Sequence, residues 1–220
     1  GIMIFCRLSV APLESRPSKR KSRMTFQDKS RSYQKNPSFT QRTPHDDSIT
    51  RGICDHCGLI NYVNPKIVAG VVAVWEDKIL MCRRAIEPRR GFWTLPAGFM
   101  EQQETISEGA AREAFEEAQA KVEIDALIGI YNVARISQVQ IFYRAQLVSP
   151  DIAAGPESED VALLGWDEIP WKELAFPSVY WALQHYHQTR EAAAFAPFSE
   201  PEDWTTTPGF EDLARRYSDG

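Results

Sequence analysis

Three glutamates on one side of a predicted helix are the residues best suited to chemistry in this 220-residue chain. Glu113, Glu116 and Glu117 stand at positions i, i+3 and i+4, which brings their carboxylates onto a single helix face. Like charges this close repel one another unless a cation lies among them. Oxygen ligands with an incomplete coordination shell suit Mg²⁺ or Mn²⁺, which keep open positions for phosphate oxygens. The alternative is an ordinary solvated acidic face, which is common on protein helices.

The local sequence predicts the helix that carries these glutamates. Thr105 followed by Glu108 forms a capping box, which marks a helix start, and good helix formers continue to about Ala118. Arg112 adds a positive charge within i+4 reach of Glu116. A seam of mostly small residues on another side would let the helix approach a sheet closely: Ile106, Ala110, Ala114 and Ala118.

Apolar segments on both sides of this helix predict strands, and the fold class is therefore α/β (α+β). A hairpin is expected from Lys66 to Ala85, because β-branched residues flank a short polar break. The further strands are expected at 93–96, 122–134, 139–148 and 161–166. A C-terminal helix is expected at 177–194, beginning with a proline. Residues 197–220 contain prolines and little periodicity, and we expect this tail to drape or fray.

The N-terminal end differs in charge from the rest of the chain. Residues 1–53 contain 11 Lys and Arg against 4 Asp and Glu, although the net charge of the whole chain is −5. We interpret residues 1–52 as a basic, largely disordered segment, because they contain too little apolar material for a core. A cytoplasmic protein is expected, unless residues 1–50 are a plastid or mitochondrial transit peptide. No run of about 18 apolar residues exists, so no membrane-spanning helix is expected.

Two cysteines indicate a remnant of a zinc knuckle over residues 53–65. Cys54 and Cys57 form a C-x-x-C motif, but tetrahedral zinc needs four ligands and a second C-x-x-C is missing. His45 and His56 could supply nitrogen, although nothing in their spacing demands it. Bound zinc and a half-lost knuckle both remain open, and we favour the half-lost knuckle.

The helix segment also matches a known motif, the Nudix box G-x5-E-x7-R-E-U-x-E-E-x-G-U, in which U is a bulky aliphatic residue. The matching positions, all in one register, are Gly98, Glu104, Arg112, Glu113, Glu116 and Glu117. The chain thus resembles the Nudix hydrolase family, and the likeness extends from about Ile53 to Phe198. Gln119 stands at the motif's glycine position, where a left-handed backbone is adopted at some cost by residues other than glycine.

The resemblance implies a fold, a reaction and a metal. The implied fold is a mixed sheet sandwiched between helices over residues 66–196. The implied reaction is metal-dependent hydrolysis of a nucleoside diphosphate linked to another group. Mg²⁺ or Mn²⁺ would be held by Glu113, Glu116, Glu117 and the carbonyl of Gly98. Arg112 would orient the glutamates, and Glu104 would pair with it or bind a further metal.

The resemblance also implies a substrate class. The sequence is similar to a zinc-ribbon-containing subgroup with FAD pyrophosphatase members, which favours FAD, with ADP-ribose or NADH as alternatives. Arg84 matches a basic position of that subgroup, and the loop from Glu157 to Asp160 could supply a substrate contact or the catalytic base. The family commonly forms homodimers. A non-catalytic nucleotide-sensing regulator and nucleic-acid binding through the basic segment are the less favoured alternatives, since every box glutamate is present.

Overall fold

The computed structural model describes residues 38–218, and the chain divides into two compact units after Asn64. This division falls next to the predicted boundary between residues 65 and 66. In its described part, the first unit forms a three-stranded antiparallel sheet. The strands of this sheet are β1 (Phe39–Arg42), β2 (Arg51–Cys54) and β3 (Ile60–Asn61).

Residues 38–52 include β1 and the start of β2, although they lie in the segment for which the sequence predicts disorder. The connection between β1 and β2 is held by Asp47, whose carboxylate accepts hydrogen bonds from Arg51 Nε (2.6 Å) and Ile49 N (3.1 Å). These local bonds define the turn without any hydrophobic period, which is why the sequence pattern does not show it. The remainder of the predicted disordered segment, residues 1–37, lies outside the described residues.

Within the described residues, the second unit is built around an eight-stranded mixed sheet. Its main strand order is β10-β5-β4-β9-β8-β11, with β6 paired to β5 and β7 paired to β4. The β4–β9 and β8–β11 pairs are parallel, and the other pairs are antiparallel. The strands are β4 (Lys66–Trp75), β5 (Lys78–Arg84), β6 (Trp93–Thr94), β7 (Ala97–Phe99), β8 (Val122–Val133), β9 (Gln138–Leu147), β10 (Ser158–Leu164) and β11 (Phe198–Ser199).

Both faces of this sheet are buried. Along β4, Val72 and Val74 belong to one apolar cluster, whereas Val71 and Ala73 belong to the other, as the two-residue period of a strand requires. The two clusters pack against different helices, and this confirms the predicted mixed sheet between helices. None of the helices among the described residues is long and apolar enough to cross a membrane. The helices are α1 (Ile106–Ala118), α2 (Pro177–Thr189) and α3 (Glu211–Ser218).

The C-terminal residues pack on the second unit, whereas the sequence predicts a draping or fraying tail. β11 pairs with the edge strand β8. Trp181 Nε1 on α2 donates a hydrogen bond to Thr207 Oγ1 at 2.9 Å, and Phe210 is buried in the core. The segment is thus anchored by a few widely spaced side chains, which leave no periodic signal in the sequence.

Candidate active site

Helix α1 begins and ends as its sequence predicts, and this fixes the direction of its glutamates. The Thr105 hydroxyl accepts a hydrogen bond from Glu108 N (3.2 Å), and the Glu108 carboxylate accepts one from Thr105 N (2.7 Å). At the other end Gln119 adopts the left-handed conformation, with φ 52° and ψ 22°, and its N–H donates to Phe115 O. The helix therefore keeps the left-handed ending of the motif without a glycine.

Arg112 connects the acidic residues of the motif. Its Nε and Nη2 donate to the two carboxylate oxygens of Glu104 at 3.0 and 2.9 Å. Its Nη1 donates to Glu113 (2.7 Å) and Glu116 (3.0 Å), and Nη2 also donates to Phe99 O (3.1 Å). The Arg112 hydrogen bonds hold the pKa of Glu104 at about 2. One guanidinium thus orients three carboxylates and connects α1 to β7.

These groups surround an open cavity of about 420 Å³, which we call the acidic cleft. Its polar lining comes from α1 and from two loops, one before α1 and one before β10. The lining residues are Phe99, Glu101, Arg112, Glu113, Glu116, Glu117, Pro156 and Glu157. The cleft therefore contains three glutamates of the motif on α1 and two further carboxylates, from Glu101 before the helix and from Glu157, which is distant in sequence.

Two glycines allow the backbone to approach these glutamates. A Cβ atom on Gly98 of β7 would collide with the Glu113 carboxylate, and one on Gly155 would collide with the backbone carbonyl of Glu116. Gly155 N donates to Glu117 O at 2.9 Å, and Ala153 N donates to Ala118 O at 2.9 Å. These two bonds satisfy carbonyls at the C-terminal end of α1, which would otherwise lack partners.

The electrostatics of the cleft fit a bound cation. Glu117 is only 7% exposed, and its Oε2 is a buried atom with no hydrogen-bond partner. Burial raises the pKa of Glu117 to about 8, and the neighbouring Glu113 charge adds to this effect. Burial also raises the pKa of Glu113, despite its contact with Arg112. An unpartnered buried carboxylate is costly, and a divalent cation would satisfy it with the oxygen ligand that Mg²⁺ and Mn²⁺ prefer.

Two glutamates of the cleft are paired with Arg112 and are not arranged around a common point. No group of three or more His, Cys, Asp or Glu residues among residues 38–218 has its side chains gathered closely enough to hold a metal ion. At the cleft, Glu113 and Glu116 each accept a hydrogen bond from the Arg112 guanidinium. The glutamates nevertheless have the chemistry of metal ligands, since carboxylate oxygens are the ligands that Mg²⁺ and Mn²⁺ prefer.

The predicted zinc knuckle also lacks a gathered set of three or more ligands among residues 38–218. Cys54 is a buried free thiol on β2, whereas Cys57 and His56 are exposed in the following turn. The backbone N–H of Cys54 donates a hydrogen bond to Leu59 O at 2.8 Å, which closes the turn. Zinc binding stays a prediction, with no supporting cluster in the described part of the chain.

The predicted substrate residues lie in different places. Arg84, at the end of β5, lines a second cavity of about 290 Å³ next to the acidic cleft, which we call the middle groove. The Arg84 charge lowers the pKa of Glu117 against the larger effect of burial. Glu157 lines the acidic cleft. Asp160 instead is exposed on β10, opposite Arg83, and its carboxylate accepts from Val161 N. The structure thus brings Arg84 and Glu157 to the site and leaves Asp160 outside it.

Several residues of the middle groove carry no sequence signal. Gln138 and Gln140 come from β9, and Phe176 and Ser178 come from the start of α2. The Arg84 guanidinium lies 5.2 Å from the centre of the Phe176 ring. Polar residues on a strand and a serine in the first turn of a helix are ordinary features, so only the packing of β9 against α2 reveals them as groove residues.

Known proteins are similar to this chain in sequence and in fold. The family model of the NUDIX domain matches residues 64–186. The solved structure of a NUDIX hydrolase from Nitrosomonas europaea is 44% identical, covers 76% of this chain and 94% of its own, and superposes with a TM-score of 0.71. A MutT-like protein of Streptomyces ambofaciens is 36% identical over 102 residues, 46% of this chain and 64% of that protein. An ADP-ribose pyrophosphatase of Methanocaldococcus jannaschii is 26% identical over 119 residues, 52% of this chain and 69% of that enzyme. The chain spans less than two thirds of the MutT-like protein. The region that matches the NUDIX model contains the whole helix motif and most of the sheet. This chain belongs to the NUDIX hydrolase family.

Proposed function

We propose that this protein hydrolyses the diphosphate bond of a nucleoside diphosphate linked to a second group. The observation that carries the proposal is the buried, unpartnered oxygen of Glu117 in a cleft with four further carboxylates. FAD, cleaved to FMN and AMP, is the substrate we favour from the sequence. ADP-ribose is the alternative, since the similar enzyme of Methanocaldococcus jannaschii is an ADP-ribose pyrophosphatase; NADH is a further alternative.

The motif residues at the cleft each have a role in this proposal. Glu113, Glu116, Glu117 and the carbonyl of Gly98 would hold Mg²⁺ or Mn²⁺. When bound, these cations neutralise the diphosphate and lower the pKa of the attacking water. Arg112 holds the glutamates in position, as its hydrogen bonds to them indicate.

Two other side chains would contact the proton of the attacking water and a phosphate oxygen of the substrate. Glu157 faces the cleft from the loop before β10 and is our candidate for taking the proton of the attacking water. Arg84 offers a guanidinium to a phosphate oxygen from the middle groove. A homodimer is also proposed, on the resemblance to the family alone. A cytoplasmic location is proposed from the sequence, with a plastid or mitochondrion as the alternative if residues 1–50 are a transit peptide.

A substrate screen tests the proposal. FAD, NADH, ADP-ribose, CoA and nucleoside triphosphates are incubated with the protein and Mg²⁺ or Mn²⁺, and the products are identified by mass spectrometry. Release of AMP and FMN from FAD is the expected result. Cleavage of triphosphates alone would overturn the substrate class, and nucleotide binding without turnover would favour a regulator.

Matched variants test the site. Glu116→Gln and Glu117→Gln each remove a proposed metal ligand, and we expect each to lower turnover by at least about 100-fold. Glu123→Gln, an exposed residue of β8, is the control and should keep full turnover. Unaltered turnover in both cleft variants, with thermal unfolding showing folded proteins, would contradict the proposed function.

A further inference from the structure

The C-terminal segment beyond the NUDIX match forms the wall of a third cavity. Residues 198–207 follow the last matched residue, 186, and are held on the sheet by three contacts. β11 pairs with β8, Glu200 Oε2 accepts hydrogen bonds from Asn132 N (2.8 Å) and Nδ2 (3.3 Å), and Thr207 accepts from Trp181. The wall is thus fixed by hydrogen bonds to β8 and α2.

We call the cavity beside this wall the C-terminal groove. Its volume is about 390 Å³, which is the size of a small-molecule site. Its lining includes two tryptophans, two carboxylates and one arginine. The guanidinium of this arginine lies 4.9 Å from the centre of the Trp204 ring. The lining residues used below are Arg135, Ile136, Trp181, Glu200, Glu202 and Trp204.

The C-terminal groove is continuous with the proposed site of hydrolysis. Four residues line both it and the middle groove: Ile136, Gln140, Phe176 and Ser178. The middle groove in turn contains Gly98, whose Cα lies against the Glu113 carboxylate of the acidic cleft. A single elongated substrate can therefore extend from the acidic cleft through the middle groove into the C-terminal groove.

The charges along this path differ in sign. The middle groove holds Arg84, next to the position proposed for the diphosphate. The C-terminal groove presents two carboxylates, from Glu200 and Glu202, and one guanidinium, from Arg135, which lies over the Trp204 ring. The excess of carboxylates attracts N–H and O–H donors and disfavours an added phosphate. The aromatic walls of the groove suit a planar ring, since such rings pack by stacking or edge contact.

We infer that the C-terminal groove binds the adenosine end of the substrate, as a planar ring with ribose hydroxyls, and disfavours an adenosine whose ribose carries an extra phosphate. This inference rests on the proposed function, because it is the diphosphate in the acidic cleft that directs the nucleoside into the groove. It assigns substrate selection to Glu200 and Glu202, which lie outside the residues that match the NUDIX model.

The test compares NADH with NADPH, which differ by one ribose phosphate. We expect the wild-type protein to prefer NADH by about tenfold in kcat/KM, since one added phosphate meets two carboxylates. Glu202→Lys reverses one of these charges and should reduce the preference by at least about fivefold. Glu123→Lys, the same charge change at an exposed site outside the groove, is the control and should keep the wild-type preference.

Binding measured without turnover separates this inference from the proposed function. The affinities of NADH and NADPH are measured by calorimetry with Mg²⁺ on Glu157→Gln, which lacks the proposed base but keeps the proposed metal ligands, and the same order of preference is expected. Equal affinities in this variant, or an unchanged preference in Glu202→Lys, would overturn the inference even if hydrolysis is observed. Failure to hydrolyse any diphosphate-linked substrate would instead overturn the proposed function, whatever the binding preference.

Discussion

Gly155→Ala is expected to damage both the stability and the activity of this protein, because the residue lies against the backbone at the end of α1. The added methyl would collide with the Glu116 carbonyl, and backbone atoms cannot move aside as a flexible side chain can. The loop must therefore shift, which breaks the bonds from Gly155 N to Glu117 O and from Ala153 N to Ala118 O, both 2.9 Å long.

The size of the effect follows from these two bonds. At about 1 kcal/mol net for each backbone hydrogen bond, the free energy of unfolding should fall by about 2 kcal/mol. For a chain of this size, that corresponds to a decrease in Tm of about 4–8 °C. Turnover should also fall by at least about tenfold, because the shift carries Glu157 away from the acidic cleft.

Thermal unfolding and steady-state hydrolysis measure the two effects separately. Gly165→Ala is the matched control, because its added methyl would meet only the side-chain end of Glu168, at 3.3 Å, and no backbone atom, and its φ of −66° suits any residue. A Tm for Gly155→Ala equal to that of the control would refute the close contact. A lower Tm with wild-type turnover, measured well below that Tm, would refute the delivery of Glu157 by this loop.

Three further predictions concern the folded unit around the site. Arg144→Met should lower the free energy of unfolding by about 2–4 kcal/mol, since the buried guanidinium pairs with Asp125 and donates to two backbone carbonyls; chemical denaturation measures this, and an unchanged midpoint would contradict it. Ala114→Leu should cost about 1–3 kcal/mol by overpacking α1 against the sheet, since Ala114 is fully buried; a wild-type Tm would show that the seam has room. Burial lowers the pKa of His185 below its ordinary 6.5. The folded state therefore binds a proton at this imidazole less readily than the unfolded chain, and the free energy of unfolding should fall as the pH drops below about 6.5. His185→Gln should flatten this part of a Tm-against-pH curve, and an unaltered slope would assign the pH dependence to other groups.

The sequence predicts the parts of this protein that depend on neighbours along the chain. The capping box at Thr105 fixes the start of α1, and the i, i+3 and i+4 spacing places Glu113, Glu116 and Glu117 on one face. The strands around the helix follow from alternating or continuous apolar runs. In each case the interacting residues are separated by a few positions, so that the pattern itself carries the geometry.

Tertiary structure decides which distant residues meet these elements. Glu157 reaches the acidic cleft because Gly155 can lie against the end of α1, and nothing in the local sequence of that loop encodes its position. The C-terminal segment joins the sheet through single anchors such as Thr207 and Phe210. Such contacts join residues far apart in the chain, and they depend on shape and hydrogen bonding between separate elements. The sequence alone therefore determines the cluster of glutamates and the sheet that supports it, and its resemblance to a family names Arg84 and the loop from Glu157 to Asp160 as candidates. Only the folded chain determines that Glu157 rather than Asp160 reaches the cleft and which groove adjoins it.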